Sequence, residues 1–395
     1  MSYLVGFKVS GLAGRSEPFE IELNRDVNIF FGLNGSGKTS LLKILDSAFN
    51  NVSTSIKLVP FDSAEVVIYS EDHQSTLTRR IQKHSEGDVI AVGDEFEGLF
   101  SSSEIEYAQD YTRQQPDFEW ETITSIKDTA NPYKHIFLPA SRSFSGSTRV
   151  PSRLPAAQRR AQEEAENEWD VIFASMLDQL WTRYSNELLS EVRNIQTRGL
   201  TNILKGVLTG SAKAKISKSN VEDLIADKAY DNVSTFLHRQ GAEGVLGSRK
   251  RFVRKFTEEP QFRSVVADID SVEREVEKAS QSRREVEDLV GRMFSGNKAI
   301  NFTDTEIRVM TNDNQNIGLV SLSSGEKQVL RIFIEALRAD ISSLLIDEPE
   351  MSLHIDWQRE LIRDMQQLNP NTQLILASHS PEIMAEIPDN KIFRL

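Results

Sequence analysis

A glycine-rich loop between a strand-like run and a helical segment is the feature that most restricts the fold of this chain. Residues 32–39 read Gly-Leu-Asn-Gly-Ser-Gly-Lys-Thr and fit the pattern G-x-x-x-x-G-K-S/T completely. The run before the loop carries apolar residues at strand spacing, namely Val27, Ile29 and Phe31. Residues 40–49 carry them at helical spacing. This order predicts an α/β fold with a phosphate-binding loop.

The residue types in this loop suit a nucleotide bound with a divalent cation. Glycines let successive backbone N–H groups turn toward phosphates, and the helix adds partial positive charge at its N-terminus. Lys38 is expected to reach the β- and γ-phosphates of ATP, and Thr39 to ligate Mg²⁺. The predicted ATP-binding residues of the loop are Asn34, Gly35, Ser36, Gly37, Lys38, Thr39 and Ser40. An ordinary glycine-rich turn is the alternative, and the flanking strand and helix disfavour it.

An apolar run that ends in two carboxylates lies near the C-terminus. Residues 344–348 read Leu-Leu-Ile-Asp-Glu, and open α/β sheets bind ligands at the carboxyl ends of their strands. Asp347 is therefore predicted to hold Mg²⁺, directly or through water. Glu348 is predicted to be the general base that polarises the attacking water. An apolar run that ends in two carboxylates is common by itself. Its position after the phosphate loop in the chain favours the functional assignment.

Residues 322–326, Leu-Ser-Ser-Gly-Glu, stand just before a predicted helix. They resemble the signature of ABC ATPases, which is usually Leu-Ser-Gly-Gly-Gln. The third and fifth positions differ, and the Ser-Gly-Glu ending is similar to the RecF, SMC and OLD-like branch of that family. The resemblance implies that Ser323 and Gly325 contact the γ-phosphate of ATP. A plain helix cap is the alternative role for Ser323.

Two further segments carry the same resemblance. His379 follows the apolar run 374–377 and looks like the switch histidine of ABC ATPases, which implies a catalytic role at the γ-phosphate. Residues 348–354 are similar to the E-P-E-x-x-L-H segment of OLD-like and RecF-like ATPases, with Ile355 where proline is often found. Transporters have Leu-Asp in that segment, so the departure moves the prediction away from transporter subunits.

Two further elements of the family, a Pro-Ala-x-Arg segment and a Q-loop glutamine, have less specific counterparts in this sequence. Residues 139–142 resemble a Pro-Ala-x-Arg element of the branch, in which Arg142 either touches phosphate or a partner or has a structural role. A Q-loop glutamine is expected between the phosphate loop and the insertion. The candidates are Gln82, Gln114 and Gln115, and none has a context that selects it.

The motif order predicts an α/β fold of the ABC type: a P-loop ATPase head with a mixed sheet and a helical insertion. The predicted domains are an N-terminal ATPase lobe over 1–150, a mainly helical insertion over 151–300 with a short helical hairpin, and a C-terminal lobe over 301–395. Residues 156–195 and 265–293 have helical periodicity. Short runs at 56–59, 66–69 and 136–138 resemble strands.

Composition limits the compartment and the partners. The chain has no cysteine, which excludes disulfides and thiolate metal sites and suits a reducing cytosol. It lacks a signal-peptide pattern and any apolar run of the roughly 18 residues that span a bilayer, so a cytoplasmic protein without membrane contact is predicted.

The net charge of −13 argues against a protein that coats nucleic acid along its length. A cluster of cations, Arg249, Lys250, Arg251, Arg254 and Lys255, is predicted as a solvated helix face in preference to a phosphate-binding or partner-binding surface.

The resemblance also implies how such a head works. In the family the signature completes the ATP site of a second head, so a homodimer or higher oligomer that closes around ATP and Mg²⁺ is expected. Loss of the γ-phosphate contacts on hydrolysis would then release the pair. Because the chain ends soon after His379, without room for the Toprim nuclease domain of OLD proteins, any nuclease is expected to be a separate polypeptide.

These motifs are compatible with three functions. The first is an ATPase switch that controls a separate effector such as a nuclease, because the chain resembles the ATPases of anti-phage systems such as Septu, PARIS and the OLD-like retrons. The second is a RecF-like or SMC-like ATPase of DNA repair or recombination, with nucleic acid as a partner. The third, a transporter subunit, is disfavoured by the long separation between loop and signature.

Overall fold

The computed structural model divides into two units. It describes residues 2–71, 74–83, 118–123, 133–140, 156–209, 222–239, 241–294, 296, 298–339 and 342–395. The first unit comprises Met1–Phe173 and Leu322–Leu395, and the second comprises Ala174–Ser321. The domain boundaries proposed near residues 150 and 300 stay a prediction.

The described residues form twelve strands and nine α-helices. The strands are β1 Ser2–Ser10, β2 Phe19–Glu22, β3 Val27–Phe31, β4 Ser63–Ser70, β5 Ser75–Gln82, β6 Glu121–Ile123, β7 His135–Leu138, β8 Lys298–Phe302, β9 Ile307–Thr311, β10 Ser343–Asp347, β11 Gln373–Ser378 and β12 Ile392–Arg394. The helices are α1 Lys38–Asn50, α2 Ala156–Thr209, α3 Glu222–Arg239, α4 Arg249–Glu258, α5 Pro260–Ala279, α6 Gln281–Met293, α7 Ser324–Arg338, α8 Ile355–Leu368 and α9 Pro381–Met384. Within the described ranges, no helix has the length and apolarity to cross a membrane.

The first unit contains two five-stranded sheets with different strand directions. One is antiparallel, in the order β2-β1-β4-β5-β6, and the other is parallel, in the order β12-β3-β11-β10-β7. Along β4, every second side chain is buried, as in a strand with one face on the core. All side chains of β10 and β11 are buried, as in parallel strands covered on both faces. The α/β fold predicted from the sequence is confirmed.

The register of the parallel sheet aligns the carboxyl ends of its central strands. Asp347 of β10 lies opposite Ala377 of β11, and Ser378 lies opposite Phe31 of β3. On the other side of β10, Ile346 pairs with Leu138 of β7. The loops that follow β3, β7, β10 and β11 therefore begin at one edge of the sheet, which is where α/β sheets bind ligands.

A buried glutamine at the start of β11 joins the two sheets. The Oε1 atom of Gln373 accepts hydrogen bonds from the backbone N–H of Leu4 (2.9 Å) and the hydroxyl of Ser343 (2.8 Å). Its Nε2 atom donates to the carbonyl oxygens of Leu4 (2.8 Å) and Asn24 (2.9 Å). The amide thus makes four hydrogen bonds, beside the register shift of β1 between Leu4 and Gly6.

Replacing Gln373 with Leu is expected to lower the free energy of unfolding by about 3 kcal/mol, because buried groups on β1 and β10 lose their partners. Thermal and urea unfolding followed by circular dichroism measure the loss. Gln367→Leu, at an exposed position of α8, is the matched control and should change stability by less than about 0.5 kcal/mol. Equal effects of the two substitutions would contradict the bridging role of Gln373.

The second unit is mainly helical and carries the cluster of cations on α4. Phe252 is the buried anchor of this helix, and Arg249 pairs with Asp231. Lys250, Arg251 and Arg254 are exposed, and no carboxylate in the described part of the chain forms a salt bridge with them. A solvated face and a binding surface both fit this geometry.

Candidate nucleotide-binding site

The glycine-rich loop joins β3 to α1 in a conformation that requires glycine. Gly35 and Gly37 have φ angles of 84° and 98°, in the left-handed region that side chains disfavour. A Cβ atom at Gly32 would lie 2.6 Å from the carbonyl oxygen of Leu395. The glycine pattern in the sequence is thus accounted for by backbone geometry at three positions.

Lys38 begins α1 and is buried against the loop. Its ammonium group donates to the carbonyl oxygens of Gly32 (2.7 Å) and Leu33 (2.9 Å). An ammonium group has three N–H donors, so a third is available beyond these two bonds. The side chain is therefore held close to the loop with donor capacity left for a phosphate oxygen.

Thr39 and Asp347 meet although 308 positions separate them. The Thr39 hydroxyl donates to Oδ2 of Asp347 (2.8 Å), and Oδ1 of Asp347 is buried without a hydrogen bond among the described residues. Burial raises the pKa of Asp347, and the charge of Glu348 adds to this effect. The Thr39 hydrogen bond, the charge of Lys38 and the nearby backbone of Ala140 lower the pKa.

These oxygens fit a divalent cation such as Mg²⁺. Mg²⁺ prefers oxygen ligands and is usually held by one or two carboxylates together with substrate phosphates. Two groups supply such oxygens: the Thr39 hydroxyl and the Asp347 carboxylate, whose buried Oδ1 atom has no hydrogen-bond partner among the described residues. A bound cation would also offset the burial that raises the pKa of Asp347.

Glu348 and His379 leave adjacent strands at the same edge. Glu348 is largely buried and has a φ of 48°, which is uncommon for a residue other than glycine. Its backbone N–H donates to the carbonyl oxygen of Ala377 (2.8 Å), which ties the loop after β10 to β11. Neighbouring strands lie about 4.8 Å apart, so Glu348, His379 and the glycine-rich loop begin close together. Backbone strain of this kind concentrates at functional sites.

Glu350 holds the loop that contains His379. Its Oε1 atom accepts hydrogen bonds from the hydroxyl of Ser378 and the backbone N–H of His379, both at 2.8 Å. The ring atom Nδ1 of His379 lies 3.0 Å from the same oxygen. Sequence reasoning gave Glu350 no role, because nothing in the spacing of residues 350 and 379 indicates this contact.

Gln358 of α8 extends this group of contacts. Its Oε1 atom accepts a hydrogen bond from the Ser380 hydroxyl (2.7 Å), and its Nε2 atom donates to the carbonyl oxygen of Leu353 (3.0 Å). The loops that follow β10 and β11 are therefore fastened both to each other and to α8.

The signature-like residues lie at the N-terminus of α7. Oγ of Ser323 accepts a hydrogen bond from the backbone N–H of Glu326 (3.3 Å), and Oε2 of Glu326 accepts one from the N–H of Ser323 (2.6 Å). This capping box agrees with the helix-cap role that is the alternative for Ser323. It also gives a structural reason for glutamate at residue 326, where the usual ABC signature has glutamine. The exposed hydroxyl of Ser323 still has its proton to donate. Gly325 is buried, and a Cβ atom there would overlap the carbonyl oxygen of Ser352.

The predicted site residues thus fall into two groups within the first unit. The first group lies at the carboxyl edge of the parallel sheet, and the second comprises Ser323 and Gly325 at the start of α7. In the first group, Asn34, Gly35 and Thr39 are exposed, while Ser36, Gly37 and Ser40 are half-buried. No hydrogen bond within the described residues joins the second group to the glycine-rich loop.

Some predicted residues cannot be placed. Arg142, Gln114 and Gln115 lie outside the described residues. Gln82 is the last residue of β5, in the antiparallel sheet.

Two retron proteins are among the curated proteins that match short stretches of this sequence. The chain is 27% identical over 89 residues to "Retron Vc95 probable ATPase" of Vibrio cholerae serotype O1 biovar El Tor, a match that covers 19% of this chain and 17% of that protein. It is 26% identical over 100 residues to "Retron Ec83 probable ATPase" of Escherichia coli, which covers 22% and 18%. The chain therefore spans less than a fifth of the length of these curated relatives.

Two SMC heads are among the solved structures that are similar to this chain. The Smc head domain with an extended coiled coil bound to the C-terminal domain of ScpA, from Pyrococcus furiosus, has a TM-score of 0.43 at 12% identity and covers 98% of this chain and 92% of its own. The SMC head domain from Thermotoga maritima has a TM-score of 0.37 at 9% identity and covers 97% and 91%.

A protein-family model matches residues 27–385 and is described as "AAA domain, putative AbiEii toxin, Type IV TA system". This match extends from the strand before the glycine-rich loop to a point just beyond His379. The chain accordingly belongs to this AAA domain family.

Proposed function

We propose that the chain is an ATP-dependent switch whose heads pair around ATP and separate after hydrolysis, and that it controls a separate effector such as a nuclease in anti-phage defence. The observation that carries the ATP chemistry is the contact between Thr39 and Asp347 (2.8 Å), which joins the phosphate loop to the acidic strand. Lys38 and Glu348 lie directly beside these two residues in the chain.

Each residue has a defined task in this proposal. Lys38 and the backbone N–H groups of residues 34–40 bind the phosphates, and Thr39 and Asp347 hold Mg²⁺. Mg²⁺ supplies charge neutralisation at the β- and γ-phosphates. Glu348 accepts the proton of the attacking water, and His379 contacts the γ-phosphate.

Pairing of two heads is supported by the position of the signature-like residues. Ser323 is exposed at the N-terminus of a fifteen-residue helix, where the helix dipole favours an anion. Oγ of Ser323 accepts a hydrogen bond from the backbone N–H of Glu326, and the hydroxyl proton remains available to donate to a phosphate oxygen. This donor would serve ATP held by a second copy of the chain, so a homodimer or higher oligomer is the proposed active form.

Replacing Ser323 with Arg should leave ATP binding intact but stop hydrolysis, because the bulky cation would fill the space of the partner's γ-phosphate. In a mixture with Lys38→Ala, one of two composite sites can recover: ATP on the Ser323→Arg head meets an intact signature from the other chain. We therefore expect partial ATPase activity in the mixture and none in either variant alone, measured by phosphate release.

A control variant distinguishes loss of head pairing from loss of the helix cap at Ser323, which contributes about 1 kcal/mol to stability. Ser323→Asp keeps an N-cap side chain and places a negative charge toward the phosphate, so it should also bind ATP without hydrolysis. Hydrolysis at the parent rate by Ser323→Arg alone would refute both the signature role and the paired heads.

The effector role rests on what similar proteins are named for. The two sequence relatives are named as probable ATPases of retrons, and the family description names a toxin of a toxin–antitoxin system. The neighbouring reading frame in the genome is the most informative test. A nuclease gene would support effector control, whereas replication genes would favour the alternative and a permease gene would contradict both.

The alternative is a RecF-like or SMC-like ATPase of DNA repair or recombination. One observation favours it: Lys250, Arg251 and Arg254 are exposed on α4 in a chain whose net charge is −13. Cations without acidic partners are the groups that neutralise nucleic-acid phosphates.

A further inference from the structure

The Glu350 side chain is buried between the loops that follow β10 and β11. Only 4% of it is exposed, and both hydrogen bonds to its Oε1 atom come from the end of β11, from Ser378 and the backbone of His379. Its other oxygen, Oε2, makes no hydrogen bond in the described part of the chain. A buried carboxylate oxygen without a donor is costly, so the charge calls for an explanation.

The two hydrogen bonds do not explain the charge. A hydroxyl and a backbone N–H need an acceptor when they are buried, and the amide oxygen of glutamine would serve as well. Glutamine would also avoid the cost of a buried charge. The additional group beside Oε1 is Nδ1 of His379, at 3.0 Å.

The position of Nδ1 determines which ring nitrogen can reach a ligand. A carboxylate oxygen can only accept hydrogen bonds. If Nδ1 carried a lone pair at this distance, it would be repelled by the Glu350 oxygen, so the tautomer with a proton on Nδ1 is favoured. The same oxygen also accepts a hydrogen bond from the backbone N–H of His379, which holds the main chain of this residue beside the carboxylate. Nε2 is then the nitrogen available to a nucleotide, and the His379 side chain is 45% exposed.

We propose that Glu350 is a positioning residue for His379, which fixes the tautomer and direction of the imidazole ring so that Nε2 meets the γ-phosphate. This inference rests on the proposed function, in which His379 contacts that phosphate. Glu350 acts through the histidine in this proposal, because the described contacts of its Oε1 atom are with Ser378 and His379 at the end of β11.

The test compares Glu350→Gln, His379→Ala and the double variant in a steady-state ATPase assay. Glu350→Gln should lower kcat about 10- to 100-fold, the range found for residues that orient functional histidines, with little change in KM. The double variant should be no slower than His379→Ala, because Glu350 acts through that ring. Glu382→Gln is the matched control, since Glu382 follows the same strand but pairs with Arg359 (2.6 Å), and it should keep the parent kcat.

A spectroscopic measurement separates positioning from a general structural role. ¹⁵N-histidine spectra of the parent chain, which has six histidines, should show His379 with its proton on Nδ1. The signal is assigned by its loss in His379→Ala. Glu350→Gln should lower the fraction of His379 that carries its proton on Nδ1, because a neutral amide oxygen attracts that proton less strongly than a carboxylate does. If the glutamine variant does not fold, Glu350→Asp keeps the charge but withdraws it from the ring, and it should show the same loss of kcat.

The outcomes distinguish the inference from the function on which it rests. If His379→Ala hydrolyses ATP at the parent rate, the role of His379 fails and the inference fails with it. If His379→Ala is slow, but Glu350→Gln is fast or its effect adds to that of His379→Ala, only the inference is overturned. An unchanged tautomer in Glu350→Gln would overturn it as well.

Discussion

Replacing Glu348 with Gln is expected to slow ATP hydrolysis by about 10²- to 10⁴-fold, the usual contribution of a general base, while ATP binding persists. Glutamine keeps the shape and hydrogen-bonding reach of the side chain but lacks its basicity. The backbone conformation, with φ of 48°, does not depend on the charge and should be unchanged. Because γ-phosphate contacts would then persist, the variant should accumulate as paired heads when ATP is added.

Phosphate release measures the rate, calorimetry measures ATP binding, and size-exclusion chromatography with ATP measures pairing. Glu360→Gln is the matched control, because Glu360 is exposed on α8 and pairs with Arg363 (3.1 Å). It should leave all three quantities at the parent values. Turnover of Glu348→Gln at the parent rate would mean that another residue is the base.

Replacing Lys38 with Ala is expected to remove measurable ATP binding. A hydrogen bond to a charged group contributes about 1.5–3 kcal/mol, and each 1.4 kcal/mol is a factor of ten in affinity. The substitution also frees the carbonyl oxygens of Gly32 and Leu33, which Lys38 holds in the loop. Both effects weaken the same site.

Calorimetry with ATP and Mg²⁺ decides this prediction. Lys43→Ala is the matched control, because Lys43 is exposed on the same helix, and it should bind ATP as the parent does. Affinity equal to that of the parent in Lys38→Ala would refute the assignment of the phosphate loop.

The α/β fold could be predicted because its signals are local. The glycines of the loop are required by backbone geometry, and the strand and helix beside them follow from apolar spacing.

The strand expected at 56–59 is wrong: a 3-10 helix, Thr54–Ile56, stands at its start. Ile56 and Val59 are buried as expected, but a short apolar run does not determine its own conformation. The helical segment predicted over 265–293, with a short helical hairpin in this insertion, consists of two helices, α5 and α6, divided at Ser280.

Contacts between distant parts of the chain could not be predicted from local patterns. The amide of Gln373 and the carboxylate of Glu350 act on loops and strands that only the sheet order brings together. The adjacency of β3 and β11 is of the same kind, since nearly the whole chain separates them. The spacing of motifs indicated which residues share a site, and it did not indicate how the side chains are held there.

The close packing of Gly325 against Ser352 has a consequence for two paired heads. A single added carbon at Gly325 would overlap the backbone of the loop that also contains Glu348 and Glu350. The helix that carries Ser323 at its N-cap is therefore in direct contact with the loop that carries Glu348, the proposed base. A shift of that helix when the partner's nucleotide is hydrolysed would press on this loop. In such a pair the two ATP molecules would be hydrolysed cooperatively, with each active centre sensing the state of the other.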